Sequence, residues 1–223
     1  MNILTLDTSS SACSISLRFD DQSGKTSVFS HHEVAPLQQA GQVLGLIQSL
    51  MEKSSLSINQ LHAIAFGCGP GSFTGLRIAS SVVQGLGFSF NIPIITVSSM
   101  AAMAQAALMT HGWKNVRVIM DAHQEHVYYA DYQANHENLM VLKGDEHLSL
   151  PNSLSPTSFE EYYGVGNGWE KYKSLLLNEP ASNPIKIDTA IIPTGEAILL
   201  LSIGKYDRDE WVAPKDALPS YLS

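Results

Sequence analysis

The stretch Ala65–Leu86, AFGCGPGSFTGLRIASSVVQGL, does most to limit what this chain can fold into. An apolar run ending at Phe66 reads as a buried strand. Gly67, Gly69 and Gly71 around Pro70 interrupt it, and apolar residues then recur at Leu76, Ala79, Val83, Leu86 and Phe90 with helical spacing. Two readings of the loop follow. Unpaired backbone N–H groups at a helix start can cradle a phosphate. Here, however, Gly71 is followed by Ser72, Phe73 and Thr74, without the lysine of a Walker loop, and a helix end alone contributes only about 0.3–1 kcal/mol toward an anion. In the second reading Ser72 or Thr74 caps the helix, while Gly71 and Gly75 let it lie close to a neighbour.

The rest of the chain repeats a simple alternation. Ile3–Leu6 is a short apolar strand that stops at Asp7 and the turn-prone Thr8–Ser11; Cys13–Phe19 and Thr26–His32 complete an antiparallel meander. Leu37–Lys53 changes to helical period, and after the central unit come a strand, Ile94–Val97, and an alanine-rich helix started by Ser98 or Ser99. The second half opens with an echo: Val116–Met120 stops at Asp121, turns through Ala122–Glu125 and resumes as Val127–Tyr132. Two strand, Asp, turn, strand units predict a duplicated α/β protein, with Asp7 and Asp121 facing a cleft at the strand ends. We place the lobes at 1–98 and 99–223, the first carrying the partner-binding helices, and read Thr194–Gly204 as a final helix. The plan resembles the actin-like (ASKHA, ribonuclease H-like) two-lobe architecture of sugar kinases and heat-shock ATPases.

Composition narrows the function. With 223 residues, 44% apolar and 15% charged, the chain can bury a full-sized core. Its formal charge is −8 and its cations are scattered, which argues against gripping nucleic acid alone. No apolar run is long enough to cross a bilayer and no leader pattern opens the chain, so a cytoplasmic location is expected. Cys13 and Cys68 lack partner spacing for zinc. His31 and His32 point to opposite faces of a strand; His123 and His126 beside Glu125 lack a third ligand, and Ser72 lacks a His/Asp pair, so neither a metal site nor a hydrolase triad is assigned. A working phosphate clasp needs glycine in its turns and carboxylates for magnesium. Neither aspartate turn contains glycine, and Glu125 places negative charge where a polyphosphate would sit. Asp7 and Asp121 remain the weak candidates for a nucleotide or metal, against the simpler reading that each side chain caps its own turn.

The motifs GPGSFTGLR at Gly69–Arg77, LTLDTSSSACSISL at Leu4–Leu17, MDAHQEHVYYA at Met120–Ala130 and GVGNGW at Gly164–Trp169 together resemble the bacterial TsaB/YeaZ family. The chain departs from that pattern at Gln39 and Gly45, at Cys68, and in its closing LPSYLS. The resemblance implies a non-catalytic scaffold subunit of the tRNA N6-threonylcarbamoyladenosine machinery. Such a protein pairs with its metal-dependent catalytic paralogue, TsaD; a small ATPase, TsaE, joins the pair, and tRNA is met only through the complex. It implies no cofactor bound independently, with ATP at a subunit interface. The alternatives from other classes are an ATP-dependent phosphotransferase using Asp7 and Asp121, and a protease acting on the paralogue.

A partner face is also legible in the residues themselves. On a helical wheel, the apolar and small residues from Leu37 to Met51 cover roughly 200°, against the roughly 100° stripe that one core requires. Glycine pairs at 41/45 and 71/75 and small residues along the second helix allow backbones to approach. We therefore predict an interface built from Leu37, Ala40, Gly41, Leu44 and Ile47 on the first helix and Gly75, Ile78, Ala79 and Val82 on the second. The surplus face lies against a partner, against the second lobe, or against another copy in a homodimer.

Overall fold

The structure, a computed structural model, describes residues 1–21, 23–34, 39–177 and 183–222, with the side chains of 39 and 40 left aside. It divides into two compact units: Met1–Ser99 with Pro193–Ser220, and Met100–Ile192 with Tyr221–Ser223. The segment 193–220, which the sequence reading put in the second lobe, thus packs with the first.

In the first unit the sheet order is β3-β2-β1-β4-β5, with β1 (Ile3–Asp7), β2 (Ala12–Asp20), β3 (Thr26–Val34), β4 (Ala63–Gly69) and β5 (Ile94–Ser98). β1 pairs antiparallel with β2 and parallel with β4. Its residues are buried on both sides, so it reads as a continuous apolar run, while the edge strand β3 alternates between exposed and half-buried positions. The two faces of the sheet differ in chemistry. Leu4, Leu6, Ile15, Leu17, Ile64 and Phe66 meet Val43, Ile47, Leu50 and Met51 of α1 (Gln39–Ser54) and Ala79 and Val83 of α2 (Phe73–Phe90).

The opposite face is small and polar because the start of α6 (Gly195–Asp207) sits on it. The Thr5 hydroxyl donates to the Gly195 carbonyl at 2.7 Å, and the Gly195 N–H donates to Ser14 Oγ at 2.8 Å. A Cβ on Gly195 would press on Ser16. Thr194 caps this helix from the Ala197 N–H. The pairing of α6 with the first sheet is the non-local contact that the sequence division at residue 98 missed.

The second unit repeats the plan. Its sheet order, β10-β9-β6-β7-β8, is the first order read backwards with the strands renumbered: β6 (Asn115–Asp121), β7 (Val127–Ala134) and β8 (Met140–Ser149) form the meander, and β9 (Tyr163–Val165) and β10 (Ile187–Asp188) add in parallel. One face packs on Met100, Met103, Ala104 and Ala107 of α3 (Ser99–His111). The other collects Ile119, Val127, Tyr129, Tyr162, Trp169 and Tyr172, and two single-turn helices, α4 (Gly168–Lys171) and α5 (Lys173–Leu176), cross it. The duplication predicted from Asp7 and Asp121 therefore extends to whole sheets, and each aspartate ends the central strand of its own sheet. Among the described residues no helix is long and apolar enough to cross a membrane.

Candidate functional site

The glycine loop and the first aspartate turn are built against each other. Ser72 caps α2 by accepting from the Gly75 N–H at 3.3 Å, and the Ser72 N–H donates to the Ser9 carbonyl at 2.7 Å. The Thr8 hydroxyl donates to the Gly75 carbonyl at 2.6 Å. A Cβ at Gly71 would collide with Ser9, and one at Gly75 with the Thr8 carbonyl. Of the two loop readings, the structure thus follows the second: the glycines admit the β1–β2 turn, and that turn occupies the space beside the helix start.

Asp7 lies beneath this turn with no exposed surface. Its carboxylate accepts from the Ser9 N–H at 2.9 Å and from the Ser9 hydroxyl at 2.9 and 3.0 Å, and it fills the space that a side chain at Gly67 would need. Burial pushes its pKa up to about 7, against the smaller opposing effect of the Ser9 hydrogen bonds.

Asp121 meets different surroundings. It accepts from the His123 N–H at 3.1 Å, as a turn-capping aspartate does, and also from the Lys171 ammonium at 2.8 Å and the Tyr172 hydroxyl at 3.0 Å. Burial pushes its carboxyl up, but the Lys171, Tyr172 and backbone hydrogen bonds together outweigh burial and hold it below the usual carboxylate range. Lys171 and Tyr172 follow the GVGNGW segment, which Gly164, Gly166 and Gly168 press close against Ile187, Ile119 and Trp169. The sequence reading did not single them out, and a Lys-Tyr pair one residue beyond that motif is the only signal it offered.

The turn itself is unusual. His123, Gln124 and Glu125 have φ of 62°, 46° and 64°, three successive left-handed residues without a glycine, each costing about 1–2 kcal/mol. The His123 side chain is exposed, and His126 Nδ1 lies 2.8 Å from the Gln124 carbonyl. Among the described residues no group of His, Cys, Asp or Glu is placed to hold a metal ion.

Part of the face predicted on α1 and α2 lies in the core. Ile47 is 2% exposed and Ala79 is fully buried, both in the core of the first unit, and Gly75 is buried against Thr8. These three support the face and do not present it, because the first sheet takes up more of each helix than the wheel allotted. Ile78 and Val82 are half-buried. Leu37 lies outside the described residues, as does the side chain of Ala40.

What faces outward is Gly41, Leu44, Gly45 and Gln48 on α1, and Phe73, Arg77, Ser81, Gly85 and Phe88 on α2. Leu44, Phe73 and Phe88 are 59%, 56% and 78% exposed. The Arg77 guanidinium stacks on the Phe73 ring, 3.8 Å from its centroid. At Gly41, Gly45 and Gly85 an added Cβ would meet nothing within 4 Å. The sequence signal for Phe73, Arg77, Ser81, Gly85 and Phe88 was present at helical spacing, one-third of a turn from the residues chosen.

Residues 33–177 match the family described as TsaD: tRNA N6-adenosine threonylcarbamoyltransferase. The chain is 30% identical over its full length to the tRNA threonylcarbamoyladenosine biosynthesis protein TsaB of Escherichia coli (strain K12), covering 94% of that protein. It is likewise 30% identical over its full length to the protein of the same description from Haemophilus influenzae, covering 93% of it. Among solved structures it is similar to YeaZ from Pseudomonas aeruginosa, with a TM-score of 0.88 and 35% identity over 99% of this chain and 100% of that one. A second crystal structure, of an uncharacterized protein with similarity to peptidase YEAZ from Pseudomonas aeruginosa, gives a TM-score of 0.89 and 34% identity over 100% and 99%.

Proposed function

Because this chain belongs to the TsaB/YeaZ family, we propose that it is a scaffold subunit in tRNA N6-threonylcarbamoyladenosine biosynthesis. In this reading it docks the metal-dependent catalytic paralogue, TsaD, through the outer face of α1 and α2. The small ATPase TsaE joins the pair, ATP is bound where subunits meet, and tRNA is reached only through the complex, in the cytoplasm. Without the paralogue, the same face joins two copies of the chain.

One observation carries this reading. Gly41, Gly45 and Gly85 stand on the exposed sides of two helices where a side chain would touch nothing. A glycine inside a helix costs about 1 kcal/mol relative to alanine, and among the described residues of the first unit nothing compensates for these three. Beside them stand Leu44, Phe73 and Phe88, large apolar groups left in water. Glycine steps between exposed apolar side chains form a surface on which a partner's helices can pack at close interaxial distance. The chain's net charge of −8 opposes a nucleic acid as the occupant.

The phosphotransferase alternative needs Asp7 and Asp121 open to magnesium and nucleotide. Asp7 is instead buried under its own turn, and Asp121 is taken up by Lys171 and Tyr172. The test is light scattering of the purified chain mixed with the purified paralogue, using wild type, Leu44→Arg and Ser81→Arg. We expect the wild type to give a complex and both exposed-face variants to remain folded by circular dichroism but unpaired. Pairing that survives both substitutions would remove the proposal.

A further inference from the structure

The helix α2 is held along one flank by the stretch from Trp211 to Ser220, which runs antiparallel to it from end to end. At the α2 C-terminus, Val212 bridges to Ile94 through two backbone bonds of 2.8 and 3.0 Å, and Pro214 fills the space beside Gly87. Midway, the buried Ser80 hydroxyl donates to the Ala217 carbonyl at 2.6 Å, and Gln84 Nε2 reaches the same oxygen at 3.3 Å. At the α2 N-terminus, the Ser220 N–H donates to the Cys68 carbonyl at 2.7 Å, and Gly69 leaves room for the Ser220 carbonyl. Ala217 itself has no exposed surface and joins the core.

These contacts restrict the roll of α2. Ile78, Val82 and Leu86 pack into the cluster that also holds the apolar residues of α1. On the other side, Ser80, Gln84 and Gly87 bind the strap, roughly a sixth to a third of a turn from the middle of the outward row Arg77, Ser81, Gly85 and Phe88. A serine in mid-helix otherwise bonds its own preceding turn or points to water; here its hydroxyl is committed to a distant backbone carbonyl.

We propose that Ser80 and Gln84 are positioning residues for partner recognition: through Ala217 they lock the C-terminal strap to α2, and the strap fixes the aim of Phe73, Arg77, Ser81, Gly85 and Phe88. The inference rests on the docking role of the α1/α2 face and adds what controls it, so that release of the strap detunes docking without touching the docking surface.

The test uses the full-length chain with Ser80→Ala combined with Gln84→Ala, beside Ile15→Val, a core change on β2 that lowers stability away from the strap, and Leu44→Arg. Hydrogen exchange is followed on the free protein, and affinity for the paralogue is measured by calorimetry. The double variant should speed exchange of the Ala217 and Ser220 amides and of α2, and should weaken pairing about tenfold, the loss of about one or two hydrogen bonds. Ile15→Val should leave affinity unchanged. Wild-type affinity in the double variant, or an equal loss in Ile15→Val, would overturn the positioning role. If Leu44→Arg abolishes pairing while the double variant pairs normally, only the strap inference fails; if the wild type does not pair at all, both readings fail together.

Discussion

Replacing Asp7 by Asn should stabilise this protein, and more so the higher the pH. The native carboxyl is fully buried, and among the described residues it receives only the Ser9 N–H and hydroxyl and forms no ion pair. Its pKa rises from 3.8 to about 7 on folding. Because the folded value lies above the unfolded one, the stabilising contribution is complete below pH 3.8 and is lost as pH rises through about 7. Over that window the unfolded chain has released a proton that the folded chain still holds, so stability falls by about 1.4 kcal/mol per pH unit. Three units give about 4 kcal/mol. Asparagine fits the site: its oxygen can accept from the Ser9 N–H and its amide can donate to the Ser9 hydroxyl. Urea unfolding of wild type and Asp7→Asn at pH 3, 6 and 8 should give nearly equal stabilities at the lowest pH and a gap of about 4 kcal/mol at the highest. A gap that does not grow with pH, or a variant less stable at pH 8, would refute the view that an unpaired buried carboxyl is held here against its own charge.

Three further outcomes follow from the same geometry. Gly75→Ala should destabilise by about 2–3 kcal/mol because its methyl runs into the Thr8 carbonyl, whereas Gly85→Ala should stabilise the free chain by about 1 kcal/mol while weakening the complex; thermal melts and calorimetry separate the two. Arg117, 7% exposed, makes two 2.7 Å bonds to Asp131 and one to the Ser155 carbonyl, so Arg117→Met should cost about 3–5 kcal/mol and the added change Asp131→Leu should recover most of it. The hydrogen bond with His111 holds the Asp188 carboxyl below its ordinary range, so its contribution is present above the unfolded pKa and lost on acidification; His111→Ala should flatten the acid limb of the stability curve, read by denaturant melts between pH 2 and 6.

The strands and helices of the first half were legible because their periods are clean and their stops chemical: Asp7 with its serines, the Gly-Pro loop, Ser99. What escaped was decided by contacts far apart in sequence. Nothing in Thr194–Gly204 announces that Gly195 will sit on Thr5, Ser14 and Ser16, and only in hindsight does the run of small hydroxyl residues on alternate positions of β1 and β2 describe the footprint of a helix start. The residues predicted for the outward face of α1 and α2 were displaced for a related reason. A wheel counts apolar residues but does not know how wide a strip the sheet will cover, so Ile47 and Ala79 looked available when the sheet had already claimed them.

The two aspartates show why a repeated motif does not transmit a repeated chemistry. Each ends the central strand of its own sheet, and each caps the following turn by accepting from the N–H two residues on. The caps are alike because they depend only on local geometry. The pKa shifts run in opposite directions because they depend on what lies above the turn. Gly67 makes room for the Asp7 carboxylate, and over it Gly71 and Gly75 let backbone close in and exclude water; over Asp121, Lys171 and Tyr172 supply donors. Either arrangement removes a carboxylate from magnesium, one by desolvation and the other by occupation. Micromolar ATP binding restored by Lys171→Ala or Tyr172→Phe, followed by calorimetry with magnesium, would show that occupation alone keeps the second turn closed to nucleotide. The glycine-free, left-handed run His123–Glu125 argues for the opposite outcome, no binding in either variant, since its backbone leaves no glycine step at which a phosphate could approach.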